Sequence, residues 1–175
     1  MSIWRHLRAI GLLPGMVTLV IPALLVWITG SIHLGWGFGA GYALGAVLIA
    51  LGLALFGRTL ALLASVGRGT LAPWDPTSRL VVRGPYRYVR NPMISGVLTI
   101  LLGEAALLGS TAVLAWAATF FAMNAVYFPL SEEPGLCRRF GADYDRYRAH
   151  VPRWLPRLRP WKPGTSEHLI GPERK

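Results

Sequence analysis

Polar and apolar positions separate along this chain in long blocks. From Ala9 to Gly57 there is no Asp, Glu, Lys or Arg, and from Asn91 to Ser131 there is only Glu104. The first run breaks at "GSIHLGWGFGAG" (30–41), where glycines interrupt the apolar pattern, and the second breaks at Gly109–Ser110. The blocks predict four apolar helices, from about Leu12 to Ile28, about Gly41 to Ser65, near Pro92 to Leu108, and near Thr111 to Leu130. About 20 helical residues cross a hydrocarbon core of roughly 30 Å, so the second crosses with tilt and the third is somewhat short. The tight turn at Gly109–Ser110 makes the last two an antiparallel helical hairpin. Beyond them, Leu136, Phe140, Tyr144, Tyr147 and Val151 recur at helical spacing, with Arg138, Arg139, Arg146 and Arg148 elsewhere on the wheel. That pattern predicts an amphipathic helix lying at the membrane interface. The expected fold class is an all-α integral membrane protein with about four transmembrane helices plus a C-terminal interfacial amphipathic helix.

Composition agrees. Of the 175 residues, 53% are hydrophobic and 15% charged, against roughly 25% charged in an average soluble domain. The net charge of +10 would suit nucleic acid, but a soluble nucleic-acid binder has no use for such long charge-free runs. The distribution of the basic residues fixes an orientation. Arg5 and Arg8 precede the first span; Arg68, Arg79, Arg83, Arg87 and Arg90 lie between the second and third; ten more Lys or Arg follow the fourth, beginning at Arg138. Loop 30–40 and turn 109–110 hold none. Both termini and the 66–91 loop are therefore expected on the cytoplasmic side of a multi-pass protein. The lone Cys137 excludes an intrachain disulfide. "VWITGSIH" offers no small-x-small cleavage site, so the N-terminal run reads as an uncleaved signal anchor.

Candidate chemistry concentrates in two polar blocks. In "RGPYRYVRNPM" (83–93), Asn91 suits a helix N-cap and Pro92 the first helical position, which leaves free N–H groups and a positive dipole end at the interface. Taken alone, this block is either a capped helix start ringed by headgroup-binding side chains or part of a site. The second block is "SEEPGLCRRFGADYDRYRAHVPRWLP", with Glu132 and Glu133 at the membrane boundary on the same side as Asn91. Asn124, Phe128 and Glu132 fall on one stripe at four-residue spacing, and Pro134 is expected to end the helix soon after.

"LVVRGPYRYVRNPM", followed one helical hairpin later by "EEPGLCRRFGADYDRYRAHVPRWLP", resembles the C-terminal half of the isoprenylcysteine carboxyl methyltransferase family. That family and the related phospholipid N-methyltransferases are integral membrane enzymes that use S-adenosylmethionine. The resemblance covers roughly residues 66–160. The expected organisation is two N-terminal spans in 1–65, read from the apolar pattern, the methyltransferase-like core in 66–160 that the resemblance implies, and a basic tail in 161–175. The resemblance further implies that Arg79, Leu80 and Val81 line the cofactor pocket with backbone groups and that Tyr86 contacts the cofactor. Asn91, Pro92, Met93 and Ile94 would take the place of a His-Pro-x-Tyr element that wraps the cofactor, and Glu132 would hold its polar portion.

The chain departs from the eukaryotic pattern at Asn91, where that pattern has histidine, and at Ile94, where it has tyrosine. Asn91 removes an imidazole proton acceptor but keeps a backbone N–H and an amide, which bears on substrate chemistry more than on cofactor binding. Phe128 stands where the eukaryotic enzymes carry a basic substrate-contacting residue, so carboxylate recognition by that route is not supported.

Methyl transfer from a sulfonium is an in-line displacement that needs alignment and no metal, and alignment supplies up to about 7–11 kcal/mol. No Cys/His metal spacing, phosphate loop or Ser-His-Asp arrangement competes, and His6, His33, His150 and His168 are scattered. The expected function is S-adenosylmethionine-dependent methyl transfer to a lipid-like or lipid-borne acceptor at the cytoplasmic membrane face. The rival readings are an NADPH-dependent membrane reductase of the sterol-reductase-like type and a non-catalytic membrane scaffold. Ser95, Gly96, Ala115, Ala118 and Ala122 leave room either for close helix packing or for a lipid-chain slot. Glu104, about 20 Å along the helix from Asn91, suits snorkelling or helix pairing better than methyl transfer.

Overall fold

The computed structural model describes residues 14–30, 39–67 and 79–162. The start of the first expected span, most of the glycine-rich loop, the prolines before the polar block, and the tail beyond Lys162 lie outside these residues. The described residues are helical, with no strand among them. Helix α1 (Ile21–Thr29) follows a π-helical turn at Met16–Val20, and α2 (Ala40–Leu62) runs on into another at Leu63–Gly67. Helix α3 (Pro92–Leu108) and α4 (Thr111–Tyr127) form the hairpin, and α4 continues through a π-helical turn at Phe128–Glu132 into α5 (Glu133–Phe140). Helix α6 (Ala142–His150) is the last. The chain falls into two compact units, Met1–Phe56 with Met93–Asn124, and Gly57–Pro92 with Ala125–Lys175.

In the first unit, the α3–α4 turn forms as its two residues demand. Gly109 takes φ 59°, a left-handed backbone open to glycine, which lets the Ser110 N–H reach back to the Ala105 carbonyl at 3.1 Å. Ser110 then caps α4, its Oγ accepting from the Val113 N–H at 3.3 Å. Helices α2 and α3 pack antiparallel through backbone contact at two pairs of glycines, each pair seven residues apart on its own helix. A Cβ on Gly52 would lie 2.8 Å from the Gly96 carbonyl oxygen, and one on Gly103 would lie 2.8 Å from that of Gly45. Gly96 is thus filled by helix packing, whereas Ala115, Ala118 and Ala122 face outward on α4. Val97, Leu101 and Ala117 form the core of this unit, with Val17, Phe56, Trp116 and Phe120 against it. The Trp116 indole donates to the Val17 carbonyl at 3.0 Å.

Two continuous helical stretches, Ala40–Gly67 and Thr111–Phe140, are long and apolar enough to cross a membrane. A core helix of a soluble protein would be mostly covered, but only 11% of each apolar window is buried here. Thr99 and Thr119 turn their hydroxyls onto their own helices, at the Ser95 and Ala115 carbonyls, which removes the cost of a polar group facing lipid. Met16–Thr29 and Pro92–Leu108 are shorter apolar helices.

Two expectations for the second unit need correction. Pro134 does not stop the helix: it sits within the first two positions of α5, and the π-helical turn before it absorbs Pro129, whose ring cannot follow a regular ladder. That five-residue turn also breaks the four-residue stripe leading to Glu132. Nor does the apolar stripe from Leu136 to Val151 run along one helix. Gly141, at φ 51° and ψ −130°, divides it into α5 and α6. Tyr144, Tyr147 and Val151 are buried with Val82, and Leu80, Leu136, Cys137, Phe140 and Trp161 pack on them. The stripe covers its own unit.

The glycine contact yields a paired prediction on one helix. Gly57 has open space around it, whereas Gly52 has none. Gly57→Ala should hold or raise the thermal midpoint in detergent, since alanine gains up to about 1 kcal/mol of helix propensity. Gly52→Ala should lower it by overpacking, at a cost of about 1–3 kcal/mol. Thermal unfolding of both variants checks the difference.

Candidate functional site

The first polar block folds into a short, firmly held loop. Pro85 lies in the first positions of a 3-10 turn at Gly84–Arg87, where the Tyr86 N–H bonds to the Arg83 carbonyl at 3.2 Å and the Tyr88 N–H to that of Pro85 at 3.0 Å. Gly84 is seated against the end of α2, since a Cβ there would come 3.0 Å from Leu62 Cδ1. Helix α3 begins at Pro92, directly after Asn91, as the Asn-Pro pair predicts.

An irregular strap, residues 151–162, runs antiparallel along this loop. The Arg90 N–H donates to the Pro152 carbonyl at 2.9 Å, the Arg157 N–H to that of Tyr88 at 3.0 Å, and the Trp161 N–H to that of Arg87 at 2.9 Å. Arg87 Nε returns a bond to the Trp161 carbonyl at 2.6 Å. The Tyr147 hydroxyl donates to the Tyr86 carbonyl at 2.7 Å, which ties the loop to α6 as well.

The charged centre of this frame is Glu133, a residue the sequence reasoning left without a role. Arg153 grips it with two bonds, Nε to Oε1 at 2.6 Å and Nη2 to Oε2 at 2.9 Å. Arg90 Nη1 donates to Oε1 at 2.9 Å and lies 3.4 Å from the Tyr144 hydroxyl. The Arg90 and Glu133 side chains are each only 11% exposed. One carboxylate thus joins the loop, the start of α5 and the strap. The Glu-Glu doublet was the available signal, but adjacent helical positions point about 100° apart and sequence alone does not choose between them.

Glu132 takes no part in that cluster. It lies within electrostatic reach of Tyr86 and of Arg139. Burial first, and the Glu132 charge second, hold the Tyr86 phenol above its usual range, so it stays neutral. Burial and then the neighbouring Tyr86 do the same to Tyr147. Burial and then the Glu133 charge raise Tyr144, against the opposing hydrogen bond from Arg90.

The structure therefore brings together Tyr86 and Glu132 from the expected set. Arg79 is exposed, Leu80 is partly buried against the unit's core, and Val81 is buried, so the side chains of Leu80 and Val81 serve packing. Asn91 is half-buried and Pro92 fully buried, while Met93 and Ile94 follow in the first turn of α3 and are half-buried. His150 stacks on Trp161 at 5.5 Å between ring centroids and bonds through Nδ1 to the Arg146 carbonyl at 2.8 Å. Glu104 lies in the other unit, with Oε2 buried and no hydrogen-bond partner for that atom among the described residues.

Removing the Glu133 carboxylate strands two guanidinium groups, and breaking such a pair costs about 3–5 kcal/mol. Glu133→Ala should therefore lower the unfolding midpoint sharply, whereas Glu132→Ala should leave it near the parent value. Chemical denaturation of the detergent-solubilised variants measures both.

The family model described as phospholipid methyltransferase matches residues 40–143. The matched region takes in α2, the polar loop, the helical hairpin and Glu132, and it ends inside α6, ahead of the strap. No curated protein and no solved structure matches the chain. With more than half of its length under that match, the chain belongs to the phospholipid methyltransferase family.

Proposed function

We propose that the protein transfers a methyl group from S-adenosylmethionine to a lipid-like or lipid-borne acceptor at the cytoplasmic membrane face. The family carries the reaction class; the observation that carries the site is the division of labour in the Glu-Glu doublet. Glu133 is consumed by Arg90 and Arg153, while Glu132 lies within electrostatic reach of a half-buried, neutral phenol. A carboxylate next to an aromatic hydroxyl fits a cationic group that also bears an amine and ribose hydroxyls. When bound, S-adenosylmethionine supplies a methyl group activated by its sulfonium.

The chain's own residues would do the rest. Glu132 would accept hydrogen bonds from the amine or hydroxyls, and the neutral Tyr86 phenol would offer a donor and a ring face. Backbone groups of Arg79, Leu80 and Val81 would line one side, and Asn91, Pro92, Met93 and Ile94 would wrap the other. Asn91 takes up no proton at neutral pH, so the acceptor must arrive unprotonated or lose its proton to another group.

The proposed setting is four spans with both termini cytoplasmic. Helix α3, with 17 residues, reaches about 26 Å at 1.5 Å per residue, close to the roughly 30 Å core. The basic residues around the polar loop and after α4 favour an inside position for that end of the helices. A tail in the bilayer would hold an acceptor at headgroup level, where the polar loop begins α3.

The test is transfer of labelled methyl groups from S-adenosylmethionine into material extracted by organic solvent. Glu132→Ala should raise the KM for S-adenosylmethionine at least about tenfold, the value of a desolvated hydrogen bond to a charged group at about 1.5–3 kcal/mol. Amphiphilic acceptors should be methylated far better than tail-less analogues of the same headgroup. Equal use of both kinds of acceptor, or an unchanged KM in a folded Glu132→Ala protein, contradicts the proposal.

A further inference from the structure

The strap at 151–162 does more than hold the loop. Pro152, Pro156 and Pro160 recur every fourth residue, which bars helix formation and stiffens the segment. Its backbone is fixed to the loop at three points, through Pro152, Arg157 and Trp161. On this rigid rail Leu155 is 80% exposed and Leu158 is 100% exposed. Neither leucine contributes to the unit's core, which draws on Trp161 from the same segment. Arg159 and Lys162 are exposed beside them, and Arg157 is tied by Nη1 to the His150 carbonyl at 2.6 Å.

The position of the rail says what meets these leucines. Trp154 packs edge-on against Phe128, with ring centroids 5.8 Å apart. Phe128 belongs to the apolar stretch Thr111–Phe140, on which the neighbouring Leu130 is 73% exposed. The strap therefore starts where that stretch gives way to charged residues, with an aromatic side chain at the level where Trp and Tyr gather in membrane proteins. Exposed leucines alternating with cations at that level match a surface that is apolar beneath and anionic on top.

We propose that residues 154–162 form an interfacial wedge for an anionic phospholipid leaflet. Leu155 and Leu158 enter the acyl boundary, and Arg159 and Lys162 meet the lipid phosphates. The strap lies beyond the region matched by the family, so this is a property of the chain itself and does not depend on the methyl-transfer reading.

The test uses the full chain with Cys137→Ser, so that a single introduced cysteine carries an environment-sensitive fluorophore. The label is placed by Leu158→Cys and, as an aqueous control on α6, by Ala149→Cys. Each protein is reconstituted into vesicles of phosphatidylcholine alone or mixed with phosphatidylglycerol, with and without brominated acyl chains. At position 158 the emission should shift to the blue and be quenched by brominated lipid, more strongly in the anionic vesicles, while position 149 stays unquenched. Arg159→Gln and Lys162→Gln should each reduce the equilibrium constant for insertion roughly fivefold in those vesicles. Equal exposure at 158 and 149, or quenching indifferent to lipid charge, would overturn the proposal. So would a label shielded from both water and brominated lipid, which marks a protein partner.

Discussion

A carboxylate sealed between two guanidinium groups has one arrangement that avoids a penalty of several kcal/mol, and Glu133 occupies it with Arg90 and Arg153. Each member comes from a different part of the chain: Arg90 from the polar loop, Glu133 from the first turn of α5, Arg153 from the strap. Once the three meet, the loop can no longer move independently of the helix that carries Glu132. The Tyr147 hydroxyl on the Tyr86 carbonyl and the strap's backbone bonds add neutral contacts around that charge cluster. The consequence for chemistry is positional. Tyr86 and Glu132, separated by the whole hairpin in sequence, are held within each other's field.

The other unit solves a different problem. Its helices expose apolar side chains on most of their outer surface, so burial from water cannot be what draws them together in a bilayer. Close backbone approach does that work at the glycine pairs, where even one methyl group would collide with a carbonyl. Hydroxyl groups are folded back onto their own helices and the turn at Gly109–Ser110 satisfies its own backbone, so these groups carry little unsatisfied polarity into lipid.

What was legible in the sequence is what local chemistry decides. The hairpin turn follows from Gly109 and Ser110 alone, and the start of α3 follows from Asn91 and Pro92. The apolar blocks locate the helices because lipid leaves little choice of composition. Long-range pairing was hidden. The stripe from Leu136 to Val151 correctly marks buried positions, yet periodicity says which face is apolar and not what covers it. Gly141 stood in the middle of that stripe as the visible breaker. Pro134 looked like a stop, but a wider turn one residue upstream of Glu133 accommodates the prolines. The doublet at 132–133 pointed to a carboxylate site without telling its two members apart, since only the fold brings Arg90 and Arg153 to one of them.

The pocket we propose in this frame for S-adenosylmethionine is tested, without needing the acceptor, by direct titration of the purified protein. Calorimetric titration in lipid nanodiscs, against S-adenosylmethionine and separately against NADPH, is the measurement. Binding of S-adenosylmethionine should be saturable and should weaken when Glu132 is replaced, and NADPH should show no saturable binding. Saturable binding of NADPH, with none of S-adenosylmethionine by a folded protein, would contradict the proposal.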